Sequence, residues 1–175
     1  MNWSSNAALW RKATRRLALD PSLHLPRNDF KEMEIHMFIV YSYSIAGLLV
    51  ILATVFLQNI VAAVAHRKQS HYVPGKVSES LSHDSFVFRS HRTFHNSLEN
   101  IHQFVIPALL CILLGAPTTV LAWLVWIYAA ARIIHMTLYY AIATEKNPSP
   151  RSYFYMLGVL CTAGVFALAF YALFT

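Results

Sequence analysis

Two guanidiniums, two amides and a carboxylate recur at helical spacing in one stretch of this chain. At about 100° per residue, Arg89, Arg92, Asn96, Glu99 and Gln103 fall within roughly an 80° arc. An apolar run over 105–114 follows at once. Charged and amide groups at such a boundary are costly unless they bind each other or a polar ligand. Similar groups return further on. Arg132, His135 and Tyr139 stand at i, i+3 and i+7, one face of a helix. Arg151, Ser152 and Tyr155 open the last apolar segment. Arg grips carboxylates bidentately and Glu can hold an ammonium. The set suits a small ligand that is mainly anionic and also carries an amine. A free thiol, with a pKa of about 8.5, is a weak nucleophile at neutral pH. A nearby Arg or hydroxyl favours its thiolate. Arg151 and Ser152 have the types for that work, at a helix start where the backbone adds positive potential. There is no Ser-His-Asp pattern, Gly-rich phosphate loop or HExxH motif.

These groups need elements to carry them, and composition says which kind. Of 175 residues 57% are hydrophobic and only 13% charged, against about 25% charged in an average soluble domain. With four long apolar runs, this excludes an ordinary soluble domain and predicts an all-α, integral membrane protein of four helices. The expected spans cover 37–65, 84–114, 118–143 and 151–174, with Asp84 as N-cap of the second. Pro74-Gly75 marks a turn in the one long loop, and Gly115-Ala116-Pro117 a tight turn. The domain reading is a basic interfacial segment over 1–35 and a four-span membrane domain over 36–175. The first part holds Arg11, Lys12, Arg15, Arg16, Arg27 and Lys31, with no acid before Asp20. Trp3 and Trp10 favour a membrane-surface segment over a transit peptide. The net charge of +6 reflects membrane-flanking Lys and Arg, not a nucleic-acid patch. Cys111 and Cys161 lie inside apolar runs and are expected as small buried hydrophobes.

Alternation of the spans predicts where the polar groups meet. The first span ends on the long-loop side with Gln58, Asn59 and Arg67. The second begins there, the third ends there with Arg132, His135 and Tyr139, and the fourth begins there with Arg151, Ser152 and Tyr155. All four helices bring polar groups to one end. Arg132, more than two turns inside its span, needs a partner, and Glu99 is the expected one. Lys and Arg are nearly balanced between the two sides, so charge does not set the orientation.

Residues 92–101, Arg92-Thr93-Phe94-His95-Asn96-Ser97-Leu98-Glu99-Asn100-Ile101, resemble the R-x-x-x-N-x-x-E-N/T-I signature of the MAPEG family, membrane-associated proteins in eicosanoid and glutathione metabolism. Arg132 and His135 followed by Tyr139 are similar to the family's R-x-x-H-x-x-x-Y third helix, and Arg151 through Tyr155 to its R-S-x-x-Y fourth-helix start. The three motifs occur in family order over roughly 36–175. The resemblance implies a homotrimer with glutathione bound between subunits, near the cytoplasmic face. It implies that Arg92, Asn96 and Glu99 hold glutathione's polar groups, and that His135 and Tyr139 line the site. Arg151 would stabilise the thiolate with help from Ser152. Tyr155 would touch the tripeptide, Arg67 would come from the neighbouring subunit, and Arg132 would line the site or partner Glu99. The activity implied is a glutathione-dependent transferase or peroxidase acting on lipophilic electrophiles or hydroperoxides, with isomerase activity a related possibility. Its membrane would be the endoplasmic reticulum in a eukaryote or the inner membrane in a bacterium. Two other readings stand beside it. One is a non-catalytic protein of the same fold. The other is a histidine-ligated metal or haem protein built on His91 and His95, or on His102 and His135, but no metal-ligand motif supports it.

Overall fold

The structure is a computed structural model that describes residues 35–71, 73–146 and 148–175. The basic segment expected over 1–35 therefore lies outside the described residues except for its last position. The described chain is helical, with α1 over Ser42–Arg67, α2 over Phe86–Leu113, α3 over Thr118–Ala141 and α4 over Pro150–Phe174. Helical residues at 35–40 lead into α1.

Local chemistry explains where each helix stops. His66 and Arg67 stand in the last turn of α1, where cations complement the helix dipole. The loop beyond it turns at Gly75, whose φ of 77° is open to glycine at little cost. The N-cap of α2 is Ser85, in extended backbone, and not Asp84 as expected. The end of α2 is a Schellman turn. The Ala116 amide donates to the Cys111 carbonyl at 2.9 Å and the Gly115 amide to that of Ile112 at 3.2 Å, with Gly115 at φ 68°. Pro117 follows, as it commonly does after such a cap. Ser149 precedes α4 and Pro150 opens it, where its missing N–H costs nothing.

α2 and α3 form the centre of the packing and each touches all the other long helices, while α1 and α4 pack mainly on opposite flanks of that pair. Phe104 of α2 stacks on Tyr128 of α3 with ring centroids 3.7 Å apart. Leu121, Val125, Cys111 and Val165 are fully buried around them. Cys111 and Cys161 are both buried free thiols, as expected. The Tyr41 hydroxyl donates to the Ala116 carbonyl, tying the start of α1 to the α2–α3 turn.

Three helices, α1, α3 and α4, are long and apolar enough to cross a membrane. Of the four spans expected, three have that length and composition. α2 is the longest, at 28 residues, but its first half carries Arg89, Arg92 and Glu99, and only 105–114 is uninterruptedly apolar. Trp123, Leu160 and Phe170 stand outward and exposed, the side chains a hydrocarbon surrounding would cover.

Candidate functional site

The end of the molecule that carries the polar groups is built by the start of α2, the end of α3, the start of α4 and the loop before α2. Tyr139 is its hub. Arg151 places its guanidinium carbon 4.0 Å from the centre of the Tyr139 ring, a cation–π contact. His135, one turn earlier on α3, lies 5.6 Å from the same ring, and His83, from the loop, 5.7 Å. Tyr155 of α4 closes on His135 at 6.4 Å.

Each of the three nitrogen-bearing neighbours of Tyr139 keeps a shielded nitrogen with no hydrogen-bond partner: Arg151 Nη1, His135 Nδ1 and His83 Nδ1. Buried polar nitrogens are normally paired, because an unmade bond costs about 1–3 kcal/mol. Three such atoms stand around one ring. Beside them opens a cavity of about 490 Å³, lined by His83, Phe88, Glu145, Ser149, Arg151 and Ser152 among others.

The rest of Arg151 is committed to the chain. Its Nη2 donates to the Thr144 carbonyl at 2.7 Å and its Nε to Ser149 Oγ at 3.2 Å. These bonds pin the α3–α4 connection and leave Nη1 over. Ser152 is also engaged. Its Oγ accepts from the Ser149 amide at 3.2 Å and lies 3.2 Å from the Ser149 hydroxyl. The hydroxyl expected to help a thiolate thus fixes the first turn of α4, the turn that carries Arg151.

Arg132 is buried, and its Nη2 donates to Asn96 Oδ1 at 2.8 Å and to Ser97 Oγ at 2.9 Å. Within one chain its partners are these two groups of α2. The expected Glu99 stays exposed on the helix surface. Asn96 and Ser97 lie on the side of α2 that faces α3, so they reach the guanidinium where Glu99 does not. Arg92 is likewise exposed. Of the residues picked by sequence, the single chain brings together Asn96, Arg132, His135, Tyr139, Arg151, Ser152 and Tyr155. Arg92 and Glu99 stand outward from this group. Arg67 lies elsewhere, lining a second cavity of about 550 Å³ with His66, His91, Phe94 and His95 between α1 and α2.

The ring of His91 stacks on that of His95 with centroids 4.0 Å apart. Among the described residues no group of three or more His, Cys, Asp or Glu stands close enough to hold a metal ion.

His83 and Ser97 escaped the sequence reading. Ser97 directly follows Asn96 and could have been found by asking which side of α2 meets α3. His83 lies in an aperiodic loop, where spacing gives no signal. Arg89, the first of the polar stripe on α2, brings His83 in. Its Nη1 takes the carbonyls of His83 at 2.6 Å and Asp84 at 2.9 Å, and its Nη2 reaches the Tyr140 carbonyl at 3.4 Å. The loop is thereby fastened to the last turn of α3. Burial, and next the Arg151 guanidinium, lower the His83 pKa from its ordinary imidazole value, with Glu145 opposing them.

Comparison with known proteins bears on this arrangement. A family model, that of the MAPEG family, matches residues 43–171. Against the curated proteins and the solved structures there is no significant match. The matched stretch takes in the four long helices nearly from end to end and every residue around Tyr139. The chain therefore belongs to the MAPEG family, a family of membrane proteins in glutathione and eicosanoid metabolism.

Proposed function

We propose that this protein is a glutathione-dependent membrane transferase or peroxidase, working as a homotrimer of four-helix subunits. The observation that carries the reading is the trio of unpartnered nitrogens around Tyr139, one of them on a buried arginine at a helix start. The residues fit glutathione. A free guanidinium nitrogen beside an open cavity favours an anion, and the amide and carboxylate of Asn96 and Glu99 suit the tripeptide's polar ends.

Glutathione would supply the thiol that becomes the nucleophile. The chain's own groups bind it, orient it and hold its charge. Arg151, fixed by its bonds to Thr144 and Ser149, presents positive charge where the sulfur's negative charge develops. Ser152 keeps the first turn of α4 in place beneath it. His135, Tyr139 and Tyr155 form the wall. Arg92, Asn96 and Glu99 hold the peptide's polar groups, with Arg132 steadying Asn96. Arg67 lies apart from this set within one subunit, which accords with a contribution from the neighbour. A lipophilic electrophile or hydroperoxide would arrive from the bilayer along the apolar helices.

The test is purified protein in detergent with glutathione and either a chloronitrobenzene or a lipid hydroperoxide. Turnover together with calorimetric glutathione binding is expected. No turnover with either substrate and no heat of binding would sink the proposal.

A further inference from the structure

His83 is held in position, yet its ring nitrogens are left uncommitted. Its backbone carbonyl is clamped by Arg89 at 2.6 Å. Its ring sits edge-on to Phe88 with centroids 5.0 Å apart and against Tyr139 at 5.7 Å. No hydrogen bond to either ring nitrogen forms within the described residues, and Nδ1 is shielded without a partner. A histidine that served only to pack would gain by giving its nitrogens a bond or by being an apolar ring. This one lines the same cavity as Arg151.

We infer that His83 is the proton acceptor of the site, taking the proton from the thiol whose charge Arg151 then holds. This rests on the glutathione reading above. The S–H bond breaks, an N–H bond forms on the imidazole, and the electron pair stays on sulfur beside the guanidinium. The imidazolium then returns its proton to water through the open side of the cavity. No other reactant is needed.

The surroundings support the role. The other groups facing the cavity are committed or differently placed. Ser152 is bound to Ser149, the Ser149 hydroxyl oxygen accepts from Arg151 Nε, and Glu145 and Lys146 are exposed. Arg151 of α4, together with Arg89 and Arg92 of α2, disfavours protonation of His83, and Glu145 of the α3–α4 connection favours it. The balance favours the neutral form of His83, the form that can accept a proton. A positive charge placed on it beside Arg151 is short-lived, which favours onward release of the proton.

The experiment uses the full-length protein in detergent, with His83→Ala and His83→Gln variants. Glutathione affinity is measured by calorimetry, thiolate formation by stopped-flow ultraviolet absorbance, and proton release by a pH dye. The variants are expected to bind glutathione within a few-fold of the unmutated protein but to form thiolate about 100-fold more slowly, the low end for a lost general base. Added imidazole is expected to restore much of the rate to His83→Ala and none to His83→Gln, whose side chain fills the space. Unchanged rates and an unchanged pH profile in both variants, with binding intact, overturn the inference and leave the glutathione reading standing. Absent glutathione binding in the unmutated protein overturns that reading and this inference with it.

Discussion

Arg151 commits two of its nitrogens to the chain and keeps one free. Truncating it removes both the pin of the α3–α4 connection and the charge meant for a thiolate. Arg151→Ala is expected to lower turnover about 100-fold or more, the scale of losing one preorganised charge-stabilising donor. Arg151→Lys should recover only part of this, because an ammonium cannot serve Thr144, Ser149 and a ligand with a planar fork. Steady-state rates of both variants check it. His83 gives a pH prediction. Its folded-state pKa lies below the ordinary value of 6.5, chiefly through burial and next through Arg151. The unfolded chain therefore binds that proton more readily, and stability is lost as pH falls through the unfolded imidazole range. Melting in detergent from neutral pH to about pH 5 should fall less for His83→Gln than for the unmutated protein.

At the level of elements, the close approach of α1 to α3 depends on Gly47. A Cβ there would meet Val125 Cγ1 at 2.5 Å and the Trp126 ring at 3.4 Å, and Val125 is fully buried. Gly47→Val should push the helices apart and cost about 1–3 kcal/mol, the usual range for overpacking, read as a lowered melting temperature. Glutathione binding, if it survives, should change little, since Gly47 lies near the start of α1 and the Tyr139 cluster at the other end of the bundle. The helices were legible from their apolar runs, and the turns from Pro74-Gly75 and Gly115-Ala116-Pro117. α2 was legible in extent but not in kind. Its length matched a span, while its polar first half sets it apart from the other three.

At the level of the whole molecule, one chain does not gather every residue of the proposed site. Arg92 and Glu99 face outward, and Arg67 lines the other cavity with His91 and His95. If neighbouring subunits complete the site, two inactive variants should complement each other. Arg67→Ala and Arg151→Ala, each expected to be weak alone, should regain measurable activity when co-expressed and co-purified by two different tags. Some interfaces would then pair an intact Arg67 with an intact Arg151. Recovery no greater than the sum of the separate variants would place Arg67 outside the site.

The chain by itself determined the helices, their order and the gathering of polar groups at one end. Long apolar runs are satisfied as helices packed in an apolar surrounding, and successive helices joined by short connections put their ends in known places. It also determined which residues carry the family signature, because i, i+3 and i+4 spacing is local. Which group answers which was decided only in three dimensions. Arg132 meets Asn96 and Ser97 and not Glu99, because the rotation of α2 against α3 sets which side of the helix faces the guanidinium. Ser152 is captured by Ser149 because the start of α4 needs a cap. His83 reaches the site because Arg89 folds its loop onto the end of α3, a contact between residues far apart in sequence that no periodicity encodes.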